Sequence, residues 1–372
     1  MQRKDIKLKK RWVVKIGSAL LTKDGQGLHH QVLAQLAEQI SKLRELNVEV
    51  VLVSSGSIAA GVSKLGMSAR PDKLTQLQAA AAVGQAALVR AYEDVFAAKD
   101  IHIAQMLITH ADIANRERYL NAKGTLLSLL DMKVLAIINE NDSVANDEIC
   151  FGDNDSLAAL VANLIDAELL VLLTDQNGLY SSDPRSNPDA ELIEQASAND
   201  ESLKDMASGG STWGRGGMVT KLSAAQLASR SGASTIIANG REQAILERLF
   251  KGENVGTLLS ATDRLKSKKQ WLAGQMHVAG TIVVDEGAER VLIESGRSLL
   301  PVGVLSFSGE FKRGALVSCR NHQDKEIARG LINYSAQELA KLKGQASERI
   351  LELLGYVGED ELIHRDNLFI VK

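Results

Sequence analysis

Cysteine occurs only twice in the 372 residues, at Cys150 and Cys319, far apart and without CxxC spacing. This excludes a disulfide framework and a cysteine-rich zinc site, and it suits a reducing cytoplasm. Long apolar runs are also missing. Stretches such as Leu169 to Leu173 fall far short of the roughly 20 residues that a membrane-spanning helix needs, so no membrane anchor is expected. The opening, MQRKDIKLKKR before WVVKIGSALL, imitates a secretion signal, but Lys15 interrupts its apolar part and no convincing small-residue cleavage site follows. It reads as a polar lead-in to a strand. The dipeptide Gly-Lys is absent and neither GxG triplet extends to GxGxxG, which removes the P-loop and dinucleotide-fold routes to nucleotide binding. Charge of one sign is absent too: the net charge of −3 gives no overall field to attract nucleic acid or anionic lipid. There is no internal repeat and no low-complexity tract.

What is present is the balance of an ordinary globular chain, 45% hydrophobic and 24% charged. The length exceeds what one core usually supports, so a large domain and a smaller one are expected. Over the first 260 or so residues, short β-branched runs alternate with helical patterns. Strands are expected at Trp12 to Ile16, Val48 to Val53, Ile101 to Ile108, Val134 to Ile138, Leu169 to Leu173 and Thr235 to Ala238. Helices are expected near His30 to Leu46, Leu74 to Ala97, Arg116 to Leu130, Ser156 to Ile165 and Lys221 to Arg230. The fold class is therefore α/β, a layered sandwich around a mostly parallel central sheet. Ser260 to Gln270 lacks apolar periodicity and carries the basic cluster Lys266-Ser267-Lys268-Lys269, which places a boundary near 265. Beyond it, short strand-like runs separated by glycine indicate a small β-rich module. The expected domains are 1–265 and 275–360.

In sheets of this kind, ligands bind beyond the carboxyl ends of the strands, and five segments there carry chemistry. Lys15, followed by Gly17-Ser18, could place a cation and turn N–H groups on phosphate oxygens; the plain alternative is a strand-edge lysine reaching solvent. Ser54-Ser55-Gly56-Ser57 runs from a strand into a helix, offering hydroxyls and a positive helix end to an anion, or simply an N-cap. Asn139-Glu140-Asn141-Asp142 and Gly152-Asp153-Asn154-Asp155 concentrate carboxylates and amides able to bind an ammonium group, where a solvated Asx-rich turn is the ordinary reading. Thr174-Asp175-Gln176-Asn177-Gly178-Leu179-Tyr180, with Asp183-Pro184-Arg185, could cradle a base and ribose, or be a plain turn. Gly214-Arg215-Gly216-Gly217-Met218-Val219-Thr220-Lys221 is a glycine-rich loop whose backbone can approach phosphates and whose Lys221 can stabilise transferring charge; a flexible loop is the alternative.

Taken together and in this order, these segments resemble the amino-acid kinase superfamily. The chain is similar to it over nearly its whole length, with a part from about Gly280 to Gly355 similar to a PUA domain. Thr-Asp-x-x-Gly-Leu-Tyr and Asp-Pro are shared across much of the superfamily. Val53 to Gly61, Ile138 to Asp142 and Gly152 to Asp155 look like the branch that phosphorylates the side-chain carboxylate of L-glutamate. The resemblance implies the three-layer amino-acid kinase sandwich plus a small β-rich PUA domain. It also implies an ATP-dependent, cytoplasmic enzyme making L-glutamyl 5-phosphate, the first step of proline biosynthesis, with proline as feedback inhibitor and a homo-oligomeric assembly.

Carried over residue by residue, Lys15 and Lys221 match lysines that contact ATP phosphates, and Asp155 matches the carboxylate that organises them. Ser55, Asp142 and Asn154 match glutamate-binding residues. Thr174, Asp175, Arg215, Gly216, Gly217, Met218, Val219, Thr220 and Lys221 match the ATP-binding elements. Arg215 and Val219 depart from the small hydroxyl residues expected there in some relatives. No protein residue is assigned as a metal ligand; Mg²⁺ is expected with ATP as co-substrate. The acyl-phosphate product implies handover to a downstream NADPH-dependent glutamyl phosphate reductase. Two competing readings are a related kinase acting on acetylglutamate or aspartate, and RNA binding through the PUA domain. Against the latter, residues 275 to 372 hold 12 basic and 14 acidic side chains, a weak footprint for a phosphate backbone.

Overall fold

The computed structural model describes residues 2–22, 27–109, 112–113, 115–144, 154–184, 186–203, 217–261 and 278–371. Its strands are β1 (Arg11–Ile16), β2 (Glu49–Val53), β3 (Ile103–Ile108), β4 (Leu135–Glu140), β5 (Leu169–Thr174), β6 (Gln195–Ser197), β7 (Ser234–Asn239), β8 (Thr257–Ser260), β9 (Gly280–Val284), β10 (Val304–Ser308), β11 (Leu316–Arg320), β12 (Glu326–Leu331) and β13 (Leu368–Ile370). The chain divides into two compact units, the first made of residues before 265 and the second almost entirely of residues from 265 onward.

The first unit holds an eight-stranded sheet in the order β3-β4-β2-β1-β5-β7-β8-β6. Every pairing is parallel except that of β8 with β7. Parallel sheets carry helices on both faces, so their central strands read as continuous rather than alternating apolar runs. β4 and β5 follow this rule, being buried at every residue. β1 sits at the centre, with β2 on one side and β5 on the other.

Helix His30–Glu45 buries Leu33, Leu36, Ala37, Ile40 and Leu43, the spacing that forms one apolar stripe. These side chains share a core with Trp12, Val14 and Ile16 of β1. Gln39 is polar yet buried on the same helix; its Oε1 accepts from the Leu246 N–H at 3.0 Å, satisfying an orphan donor at the start of helix Ile245–Phe250. No described helix is long and apolar enough to cross a membrane.

Helices Ser57–Lys64 and Leu74–Ala97 meet backbone to backbone. A Cβ built on Gly61 would lie 1.7 Å from the Ala80 carbonyl oxygen, and one on Gly84 would lie 1.8 Å from that of Ser57. Glycine is required at both places by space, and the contact pins the turn after β2.

The second unit has its own five-stranded sheet, β10-β9-β11-β12-β13, parallel only between β9 and β11. The strand β13 belongs to this sheet, so the folded unit continues past residue 360. Its helices carry explicit start signals. Asp285 Oδ1 accepts from the Ala288 N–H at 2.7 Å, and Ser335 forms a capping box with Glu338. Cys319 lies inside this core, and burial pushes its thiol up to about 12, which leaves it inert.

The expected elements are present with shifted ends. β4 continues to Glu140 because Asn139 and Glu140 pair with Leu107 and Ile108 of β3, so these polar residues end a strand rather than open a loop. The helix expected from Ser156 starts at Asn154, and the one expected from Lys221 starts at Met218. Strands β6 and β8 and helix Ile245–Phe250 carry no strong periodic signal, being short segments placed by tertiary pairing.

Candidate active site

Four of the five segments converge beyond the carboxyl ends of the central strands. Lys15 is the next-to-last residue of β1, and its alternation places the side chain among the neighbouring helices rather than in water; it is 7% exposed. Asp155, in the first turn of helix Asn154–Leu164, is 1% exposed. Lys221, in the first turn of helix Met218–Ser229, is 6% exposed. Lys15 Nζ lies 2.6 Å from Asp155 Oδ1, and Lys221 Nζ lies 3.0 Å from Asp155 Oδ2. The Thr220 hydroxyl lies 3.2 Å from the same Oδ2 and 2.7 Å from the Gly217 carbonyl, two acceptors for its one hydrogen.

Burial alone would push the Asp155 carboxyl up, but the two lysine cations outweigh it and hold the group below the usual carboxylate range. One carboxylate thus spaces two cations that would otherwise repel each other, leaving the trio with one net positive charge in a water-poor place. Such a set of preorganised cations is suited to charge developing on a transferring phosphoryl group. Helix Met218–Ser229 adds first-turn N–H groups that its N-cap residue, Gly217, has no side chain to cap.

The residue before Asp155 faces another cluster. Asn154 Nδ2 lies 2.8 Å from the Ser54 carbonyl, 2.9 Å from Ser55 Oγ and 3.0 Å from Asn139 Oδ1, three acceptors that share its two hydrogens. Its Oδ1 is buried and has no hydrogen-bond partner among the described residues, an acceptor awaiting a donor. Ser57 Oγ donates to Asp142 Oδ2 at 2.8 Å. Burial raises the Asp142 carboxyl against the opposing effects of Ser57 and the Arg70 charge. Hydroxyl donors and two oxygen acceptors in one cluster can hold an α-amino acid by its carboxylate and its ammonium group.

Behind these residues stands helix Leu74–Ala97. Asn139 Nδ2 donates to Gln85 Oε1 at 2.8 Å, and Ser54 Oγ and the Tyr92 hydroxyl are hydrogen-bonded at 2.8 Å. Ser57, Gln85 and Tyr92 were not assigned roles from the sequence. Ser57 lay within a segment already singled out, whereas Gln85 and Tyr92 sit inside a long helix whose pattern signals only burial.

Thr174 and Asp175 lie at the end of β5, one strand from Lys15. The register Ile16 with Leu173 and the 3.2 Å bond from the Gly17 N–H to the Leu173 carbonyl set Gly17 level with Thr174. Thr174 Oγ1 donates to Asp175 Oδ1 at 3.1 Å, and Asn177 Oδ1 accepts from Asn239 Nδ2 at 2.9 Å. A polar shelf therefore borders the lysine pair. Met218, Val219 and Thr220 form the first helical turn rather than a loop. Arg215 and Gly216 of the expected glycine-rich loop, and Gly152 and Asp153 before Asn154, lie outside the described residues.

The profile of the amino acid kinase family matches residues 10–239, and that of the PUA domain matches residues 280–354. A relative named glutamate 5-kinase from Pseudomonas fluorescens is 56% identical over 363 residues, 97% of this chain and 98% of its own length. Another of that name from Hahella chejuensis is 56% identical over 364 residues, 97% of this chain and 94% of its own. The solved UMP kinase from Bacillus anthracis matches 68% of this chain and 97% of its own at 18% identity and a TM-score of 0.48, too remote to bear on the substrate.

Proposed function

Because the chain belongs to the amino acid kinase family, over which its first unit is matched, we propose that it transfers the terminal phosphoryl group of ATP to the side-chain carboxylate of L-glutamate. The observation that carries this reading is the adjacency of Asn154 and Asp155. One helical turn joins an amino-acid cradle to a pair of buried lysines.

The reference pKa of a glutamate side chain is about 4.3, so near neutrality the nucleophile is already an anion and needs no general base. What remains is to bring two anions together and to balance the charge that shifts during transfer. In this reading Ser55, Asn154 and Asp142 hold glutamate by its α-substituents. Lys15 and Lys221, spaced by Asp155, neutralise phosphate oxygens. Thr174, Asp175 and the segment 215–221 hold the nucleotide. Mg²⁺ enters as part of the co-substrate MgATP.

The product is an acyl phosphate, reactive toward water and toward its own amino group, so direct handover to a reductase belongs to the proposal. So do inhibition by proline, a homo-oligomeric assembly and a cytoplasmic setting. Hydroxylamine trapping with MgATP tests the central claim. Hydroxamate is expected from L-glutamate and not from N-acetylglutamate or L-aspartate, and proline is expected to suppress it. Preference for either of the other acids would move the substrate, and no ATP-dependent hydroxamate at all would sink the reading.

A further inference from the structure

Asn154 is useful to a substrate ammonium group only if its amide presents Oδ1, not Nδ2, to the pocket. Two groups dictate that orientation. The Ser54 carbonyl can only accept, so the atom facing it is Nδ2. Asn139 Oδ1 faces the same Nδ2 and is itself oriented by the Glu140 backbone N–H, which can only donate and does so at 2.9 Å. With Asn139 Oδ1 committed, its Nδ2 must point away and find an acceptor, and Gln85 Oε1 supplies one. Ser54 is likewise backed: its side chain is tied to the buried Tyr92 hydroxyl.

Both supports of the Asn154 amide are therefore backed by one helix, Leu74–Ala97. Gly84, Leu88 and Tyr92 recur at intervals of four on its buried face, with Gln85 beside them. The same helix touches the Ser57 backbone at Gly84, and Ser57 holds Asp142. From this arrangement we propose that Gln85 and Tyr92 are positioning residues for the amino-acid substrate. They lock the Asn154 amide, through Asn139 and Ser54, so that Nδ2 is committed to those partners and the buried, unpartnered Oδ1 is the atom left for the substrate ammonium group. The proposal rests on the reading of Ser55, Asp142 and Asn154 as the amino-acid cradle.

The amino-acid side would then be tuned from a helix that touches neither ATP nor the lysine pair through the bonds described. A disturbance of Gln85 or Tyr92 should act on one substrate only. The test measures steady-state kinetics of full-length Gln85→Leu, Gln85→Glu, Tyr92→Phe and the Gln85→Leu/Tyr92→Phe double variant, following hydroxamate with glutamate and ATP varied in turn. Tyr92→Phe keeps the buried ring, and Gln85→Glu keeps an acceptor facing Asn139.

We expect KM for glutamate to rise about three- to tenfold in Gln85→Leu and in Tyr92→Phe, the scale of one lost hydrogen bond. A larger rise is expected in the double variant, with kcat and KM for ATP within about twofold of the parent and Gln85→Glu close to the parent. A double variant with unchanged KM for glutamate, or variants whose kcat and both KM values shift together, would overturn the lock and leave a merely structural helix. A parent enzyme that forms no hydroxamate from glutamate would instead overturn the substrate reading, and the lock with it.

Discussion

Asn154 and Asp155 are neighbours in one helical turn, yet they are held by different physics. Asn154 sits in a net of neutral hydrogen bonds to Ser54, Ser55 and Asn139. Asp155 sits between two buried cations. Neutral hydrogen bonds are directional and individually modest, about 1 kcal/mol net, so a cradle built from them, as proposed for the amino acid, selects by orientation. Buried charges are strong but cost desolvation, and removing one member of a set is more damaging than the set is stabilising. In the proposed assignment the phosphate side therefore gives rate and is fragile, while the amino-acid side gives recognition and should degrade gradually.

That contrast can be broken most severely at Asp155. Asp155→Ala leaves Lys15 and Lys221 buried without their shared counter-charge. It should lower stability by about 3–5 kcal/mol, read from urea unfolding, and abolish measurable turnover. Unchanged stability would show that the lysines reach water. Lys221→Ala comes next: kcat should fall about 10²- to 10³-fold, as on loss of one transition-state donor, with KM for glutamate altered far less. Asp142→Ala should give the opposite split, KM for glutamate rising about 10- to 100-fold while kcat changes little. The reverse pattern in these two variants would sink the assignment of roles.

The smallest effect is one of sign in the pH dependence of stability. Asp155 has its carboxyl lowered on folding, so its contribution is present above the ordinary carboxylate pKa of about 3.9 and is lost as pH falls through the lower folded value. Asp142 has its carboxyl raised. In the window above the ordinary value the folded protein binds the proton first, so its contribution improves as pH falls. Asp142→Asn should therefore be more stable relative to the parent at neutral pH than near pH 4, roughly the ordinary carboxylate range. A difference that does not change with pH, measured by urea unfolding, would show that Asp142 is not raised.

Much of this is legible in the amino-acid sequence. The runs at Trp12 to Ile16 and Leu169 to Leu173 marked the central strands because burial on both faces leaves an unbroken apolar record. Helix Leu74–Ala97 was located to the residue, because a long amphipathic period is the clearest signal a chain carries. The ends were less clear. Asn139 and Thr174 look like loop residues by type, yet each lies within a strand because a neighbouring strand pairs with it. Among site residues, Lys15 and Lys221 stand out by their place at a strand end and a glycine-rich loop, the role of Asp155 comes from resemblance, and spacing along the chain does not show that one carboxylate lies between two lysines. Gln85 and Tyr92 left no mark at all, since a polar or phenolic side chain on a helix gives the same pattern whether it supports a site or only fills a gap.

The amino-acid sequence by itself determined the α/β class, the placement of the main strands and helices, and the turns where polar residues gather, because local periodicity records burial and backbone preference. Only the tertiary structure decided which of those turns face one another. The strand order puts β2 and β5 on either side of β1, and that order follows from how crossover helices pack, not from any short stretch of residues. The atoms that meet as a consequence, two ammonium groups on one carboxylate and one amide held between a carbonyl and a second amide, belong to segments far apart in the chain.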